Sequence, residues 1–319
     1  MTAGIEFYDY HPKPTDLRAE VLAGLALPQK RIAPKFFYDE TGSRLFDAIC
    51  ELPEYYPTRT EIGILRQYGA DMAALLGRDA LLIELGSGSS LKIRVLLEAL
   101  RPAIYMPVDI SKDHLRHSAQ LLAATFPQLE IHAVCADYSQ PLVLPVDDHD
   151  HPRAAFFPGS SIGNFEPPDA LALLRQVGAL LEPGGHLLIG VDLRKDPARL
   201  NAAYNDSQGV TAAFNLNLLQ RINRELDGNF ELARFQHRAF FNPELSRIEM
   251  HLVSTEPQQI RVAGHTFAFG EGETIHTECS YKYSIEQFHD LVTSIGFEPI
   301  QVWTDAEQLF SVHGLCWKG

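Results

Sequence analysis

Hydrophobic and polar positions alternate in a changing rhythm along this chain. From residue 61 to 194, short apolar runs take turns with stretches whose apolar residues recur every three or four positions. That is the pattern of strands and amphipathic helices alternating in a parallel α/β sheet. The strand candidates are LLIELGSG, YMPVDIS, EIHAVCADY, AAFFPGSSIGNF and HLLIGVDL, and the helical stretches include LKIRVLLEAL, DHLRHSAQLLAATF and DALALLRQVGALL. Right-handed crossovers in succession give an open, doubly wound sheet. Only a few residues separate FEPIQVWTD from LFSVHGLCWKG, which suits an antiparallel pair at the sheet edge.

Ahead of the first of these strands, PTRTEIGILRQYGADMAALL predicts a helix from about 59 to 76, opened by a Thr-x-x-Glu capping box at Thr58 and Glu61. Between 195 and 283 the rhythm breaks. Residues 208–227 read as one amphipathic helix stopped by Gly228, and RIEMHLVS, QQIRVAG, HTFAFG and ETIHTECSYKY read as antiparallel strands joined by Gly turns. We therefore expect a mostly parallel sheet domain from 61–194 plus 284–319, and a second α+β lobe from 8–60 plus 195–283.

With 319 residues and 45% hydrophobic composition the chain can bury a large core. Its formal net charge of −14, with 27 scattered Lys and Arg residues, argues against nucleic acid or an anionic membrane as partner. No apolar stretch approaches the ~20 residues of a spanning helix, and MTAGIEFYDYHPKPTD lacks the basic-then-apolar order of a signal peptide. A cytoplasmic, monomeric protein is the expectation. Cys50, Cys135, Cys279 and Cys316 lie far apart without a CxxC, so they read as reduced thiols.

The chemistry concentrates where the first strand meets its turn, in LLIELGSGSS. Open α/β sheets bind ligands beyond the carboxyl ends of their strands, and the Gly86–Ser87–Gly88 turn lets backbone approach one. A dinucleotide fingerprint would place its third glycine at 91, which is Leu91, and no GxxxxGK[ST] follows the strand. S-adenosylmethionine (SAM) remains: its sulfonium is cationic, so the acid Glu84 beside the turn makes electrostatic sense. Asp109 ends the next strand, at the distance of about 20 residues where such folds grip ribose hydroxyls. Asp137 ends the third, beside Tyr138. Each aspartate alone could equally cap a helix, and the turn alone could be a tight connection; acids at three successive strand ends favour the cofactor.

Two other clusters have metal-ligand residue types, DDHDH at 147–151 and the His114/His117 pair. The first sits in a Pro-flanked polar connection and the second on a polar helix face, so both read as solvated surface and no metal is expected.

KFFYDETGSRLFDAICELPEYYPTRTE, LLIELGSGSSLKIRVLLEAL, FPGSSIGNF, AAYNDSQGVTAAFN, RIEMHL and TECSYKY together closely resemble the bacterial histidine Nα-methyltransferases of ergothioneine biosynthesis. The similarity spans nearly the whole chain. It implies a class I methyltransferase fold with a second, substrate-binding lobe, SAM as cofactor, and trimethylation of L-histidine to hercynine. Position by position it implies cofactor contacts at Gly86, Lys92, Asp109, Asp137 and Tyr138. The histidine carboxylate and amine fall to Asn164 and Tyr204, with Tyr38, Phe46 and the Gly159 backbone near the amine. The imidazole falls to Tyr55, Glu278 and Ser280. Ser161 and Tyr138 stand in place of the family's Thr and Phe.

The strand period of two agrees with part of this, since Glu278 and Ser280 share a face of ETIHTECSYKY and offer an imidazole an acceptor and a donor. By pattern alone the same face reads as solvated. Asn164 offers a donor and an acceptor at the fourth strand tip, although Asn after Gly is also a common turn residue. Tyr38, Phe46, Tyr55 and Tyr204 read equally as core aromatics. Met250 alternates with Ile248 and Leu252 on an apolar face, hence core or pocket wall. Asn164 and Tyr38 are the candidate catalytic pair, Tyr38 or a water taking the amine proton. The rival readings are the same chemistry on tryptophan or tyrosine, and a non-enzymatic SAM-binding subunit.

Overall fold

The computed structural model describes residues 4–10, 15–88, 91–146 and 150–319. Most of the DDHDH cluster, residues 147–149, lies outside them. In chain order the strands are β1 (Ile5–Asp9), β2 (Lys30–Arg31), β3 (Leu81–Leu85), β4 (Ile104–Asp109), β5 (Glu130–Cys135), β6 (Arg153–Phe157) and β7 (His186–Asp192). Then follow β8 (Phe235–Asn242), β9 (Arg247–Ser254), β10 (Gln258–Val262), β11 (His265–Phe269), β12 (Thr274–Tyr281), β13 (Phe297–Thr304) and β14 (Phe310–Trp317). The helices are α1 (Thr15–Leu25), α2 (Glu40–Cys50), α3 (Tyr56–Leu76), α4 (Leu91–Leu100), α5 (Lys112–Thr125), α6 (Pro167–Leu181), α7 (Pro197–Tyr204), α8 (Val210–Leu226) and α9 (Ile285–Thr293).

Two compact units result. The first holds the N-terminal strand, Pro57–Arg194 and Tyr281–Gly319; the second holds the chain from α1 to Tyr56 and Lys195–Ser280. In the first unit eight strands form one sheet in the order β1-β5-β4-β3-β6-β7-β14-β13. Strands β1 to β7 of this sheet pair in parallel, and β14 runs antiparallel to both β7 and β13. The antiparallel pair sits at the edge with β13 outermost. At the other edge β1 pairs along its whole length with β5, an addition the sequence pattern does not announce.

Every residue of β3 is buried, as a strand covered on both faces requires. Helix α4 turns Ile93, Leu96, Leu97 and Leu100 inward, an i, i+3, i+4, i+7 stripe that packs on the sheet. On α6, Gly178 lets the Trp317 ring lie against the helix, since a Cβ there would come within 2.5 Å of it. The strand order reverses at β3, which has β4 on one side and β6 on the other. The Gly turn after β3 therefore opens at the switch point, where such sheets bind ligands.

The capping box expected at Thr58 and Glu61 does not form. Helix α3 starts earlier, at Tyr56, with Pro57 in its first turn, where a missing N–H is harmless. Thr58 and Glu61 are thus interior helical positions, and both are buried. The capping box that does form is Ser284 with Gln287, at the start of α9.

The second unit is an α+β layer. Its sheet runs β2-β12-β9-β8, and β10 and β11 form a separate antiparallel pair. Helix α8 matches the expected 208–227 helix closely; it follows Gly209 at φ 72° and ends at Asp227, also left-handed. Phe37 and Phe214 stack at 4.5 Å between the segment before α2 and α8. Asp39 caps α2 by accepting from the Gly42 N–H, and also accepts from Asn217 on α8.

Candidate active site

In the first unit, the site is built from backbone at the strand ends. Gly86 and Gly88 both have positive φ, 72° and 47°, which explains why the turn spells Gly-x-Gly. Asp109, at the tip of β4, accepts from the Gly88 N–H at 3.0 Å and from the Ser111 N–H at 2.9 Å, so it ties this turn to its own. Burial pushes the Asp109 carboxyl up, against those two bonds. Asp137 accepts from the Ser139 N–H at 3.0 Å, an Asx turn at the tip of β5. The neighbouring Tyr138 packs edge-on against Phe157 at 5.7 Å and lies against Gly86.

Glu84 is buried, and its carboxyl accepts the Tyr105 hydroxyl from β4. Burial pushes it up to about 8, more than the Tyr105 bond and the Lys92 charge pull it down. A carboxyl titrating there carries little charge at neutral pH, so the ionic attraction to a sulfonium argued from sequence shrinks. Glu84 instead braces the tip through Tyr105.

The fit to SAM rests on the turn itself. Ser87 is buried and its hydroxyl has no hydrogen-bond partner, beside two glycines that leave backbone bare. An unsatisfied buried hydroxyl costs about 1–3 kcal/mol, which a polar ligand at the turn would recover.

After β6 the chain enters a short 3₁₀ turn, Ser161–Asn164, that carries Asn164 half-buried. Ser160 just before it is left-handed at φ 56° and accepts from the Asp192 N–H at 2.9 Å. Gly159 has φ 79° and donates its N–H to Glu61. Lys92, in the first turn of α4, is paired with Glu61 at 2.7 Å.

In the second unit, the candidate side chains meet through rings and hydroxyls. Tyr38 packs edge-on against Phe46 at 5.7 Å, Phe46 on Tyr55 at 6.4 Å, and Tyr55 on Tyr204 at 6.2 Å. The Tyr204 hydroxyl donates to Ser280 at 2.9 Å. Ser280 and Glu278 alternate along β12, and both are buried, so this strand face is not the solvated one that pattern alone allows. Burial also pushes Tyr55 far above its ordinary value, with Tyr204 and Glu278 adding to it. Met250 is fully buried on β9, and its carbonyl accepts from Thr277.

Several residues of these clusters are not singled out by sequence reasoning. Phe214 touches Tyr38 at 5.9 Å and Phe46 at 6.0 Å. Asn215, fully buried on α8, accepts from Thr277 and donates to His237 at 2.9 Å, and His237 Nε2–H donates to the Tyr204 carbonyl. Its signal was an amide on the same helix face as Leu218, Leu219 and Ile222. Glu61 gave a matching signal, an acid three and four residues before Ile64 and Leu65. Glu249, His251 and His276 also converge, with one ligand atom of each within 4.8 Å of the others; Glu249 takes Arg247 and His251, His251 meets Thr274, and His276 Nε2 donates to the Glu278 carbonyl.

A sheet in this order, with a Gly turn at its reversal and acids near the ends of three consecutive strands, suits an enzyme that binds a nucleoside-bearing cofactor. The chain belongs to the histidine-specific, SAM-dependent methyltransferase family, whose model matches residues 17–316. It is 43% identical over 296 residues to the histidine N-alpha-methyltransferase of Mycolicibacterium smegmatis, with 91% of each chain covered. To the histidine N-alpha-methyltransferase of Mycobacterium tuberculosis it is 41% identical over 296 residues, again with 91% of each covered. To the ergothioneine biosynthesis protein 1 of Neurospora crassa it is 31% identical over 289 residues, covering 86% of this chain and 32% of that protein. No helix among the described residues is long and apolar enough to cross a membrane.

Proposed function

We propose that this protein methylates the α-amine of L-histidine with SAM, three times over, to give the trimethylated betaine hercynine. The observation that carries this reading is the buried pair of Glu278 and Ser280, with Tyr204 donating to Ser280 inside a continuous run of aromatic rings. Tyr204 casts Ser280 as a donor, and Glu278 supplies an acceptor. A neutral imidazole offers one of each from two separate ring nitrogens, whereas an indole has a donor only and a phenol must do both through a single oxygen.

Gly86, Ser87, Gly88, Asp109, Asp137, Tyr138 and Lys92 hold the cofactor in this reading, with Glu84 bracing the turn. When bound, it supplies an electrophilic methyl group on a cationic sulfur. In the first unit Asn164, with its two amide ends, and the Gly159 backbone are the groups assigned to the substrate carboxylate and amine; in the second, Tyr204, Tyr38 and Phe46 are the groups assigned to the amine. The α-amine of a free amino acid is mostly protonated at cellular pH, so each transfer needs a proton taken from it first, by Tyr38 or a water. Orientation then does most of the catalysis, a contribution of up to about 7–11 kcal/mol.

Each transfer enlarges the nitrogen, and the last makes it permanently cationic. Ring faces stabilise such a cation by about 0.5–2 kcal/mol each, which gives Tyr38, Phe46 and Tyr204 a role that aliphatic residues would not fill. Incubation with methyl-labelled SAM and each of the twenty amino acids in turn tests the reading. Label should appear on histidine alone, on its α-nitrogen; label on tryptophan or tyrosine, or on none, overturns it.

A further inference from the structure

Glu61 is completely buried, on the face of α3 that also carries Ile64 and Leu65, where an apolar residue would serve the core better. A carboxylate in such a place is costly unless something specific holds it. Three elements do. The Gly159 N–H donates to both carboxylate oxygens, at 3.1 and 3.0 Å, and the Lys92 ammonium lies 2.7 Å from Oε2. Below them β7 has Gly190, where a Cβ would fall 2.2 Å from Glu61 Oε1, so the strand leaves room for this carboxylate. Gly159 in turn has positive φ, and a Cβ there would sit 3.1 Å from the Lys92 ammonium.

One carboxylate thus joins the first turn of α4, which follows the Gly86–Gly88 turn, to the turn after β6 that leads into Asn164. That second turn is strained, with Ser160 left-handed, and strained turns persist only where their surroundings fix them. Ser160 and Asp192 fix it on one side, Glu61 on the other. We infer that Glu61 is a positioning residue, whose carboxylate sets the Lys92 ammonium for the cofactor and anchors the turn bearing Asn164. The inference rests on the cofactor reading given above. It makes a charged group, rather than a glutamine of the same size, necessary at this buried position.

Titration calorimetry with S-adenosylhomocysteine, without any amino acid, isolates the Lys92 half. Glu61→Gln keeps an acceptor for the Gly159 N–H and discards the charge, so it should weaken this binding about tenfold. In a Lys92→Met background the same change should have no further effect on affinity, because the two act as one unit. For the Asn164 half, Glu61→Ala should lower kcat as well as raise the KM for SAM, whereas Glu61→Gln should chiefly raise that KM. Wild-type affinity in Glu61→Gln, or equal weakening with and without Lys92, would overturn the inference. Should Glu61→Ala fail to fold, the Gln variant and the double variant still decide it. A wild-type protein that does not bind S-adenosylhomocysteine would overturn the cofactor reading itself, and the inference with it.

Discussion

The cofactor end of the first unit and the aromatic cluster of the second are made in opposite ways. At the strand tips, backbone does the work: two glycines with positive φ, and aspartates that accept N–H groups one turn away. Nearly all of it sits within a few residues of a strand end, so chain order sets it. In the second unit the rings come from α2, α7 and the segments around them, and the polar pair comes from β12. Nothing in local sequence brings them together. A generic ligand platform can be fixed by turns, whereas discrimination among amino acids needs side chains from distant elements, held by packing.

The largest expected effect tests that division in the second unit. Glu278→Ala should cost histidine turnover roughly 100-fold or more in kcat/KM, since a site built to hydrogen-bond loses most when a partner goes. Binding of S-adenosylhomocysteine should not change; if it fell equally, the two regions would not have separate tasks. In the first unit, Gly190→Ala should destabilise the fold by about 1–3 kcal/mol in denaturant unfolding, because its methyl group collides with the Glu61 carboxylate. A neutral outcome would mean that the carboxylate moves freely.

A smaller effect separates the methylation steps. Phe46→Ala should slow the third transfer more than the first, by up to several-fold, matching about 0.5–1 kcal/mol of lost ring–cation attraction. Single-turnover mass spectrometry resolves the mono-, di- and trimethylated products; equal slowing of all three would remove the cation argument.

A further effect concerns pH and the strand tip. Glu84 has its pKa raised from 4.5 to about 8, so its folded state favours the protonated form. The stability this contributes is complete below the ordinary value of 4.5 and is lost as pH rises through 8. Glu84→Gln should therefore melt higher than wild type at pH 9 and close to it at pH 5. An unchanged difference across that range would mean the carboxyl is ionised throughout.

Much of the first unit was legible because buried parallel strands write themselves as nearly continuous apolar runs, as in LLIEL of β3 with its single acid. Strand β1 was not, because IEFYD lies at an edge, half exposed, with no clean alternation. The Thr58–Glu61 spacing looked like a cap for want of a third dimension: a capping box and a buried carboxylate one turn into a helix have the same sequence. What set Glu61 apart was its place on the apolar stripe of α3. Likewise Asn215 reads as an ordinary helical polar residue until the fold turns it toward Thr277 and His237. The pairing of Glu278 with Ser280 followed from strand period, but their neighbours Tyr204 and Tyr55 are some 75 and 223 residues away in the chain, beyond any local rule.

Calorimetry of L-histidine added to protein already saturated with S-adenosylhomocysteine tests the central claim most directly. The account predicts saturable binding of histidine that Glu278→Ala weakens at least tenfold, and no comparable heat from tryptophan or tyrosine. Silence from histidine, with tight binding of another amino acid, would contradict it.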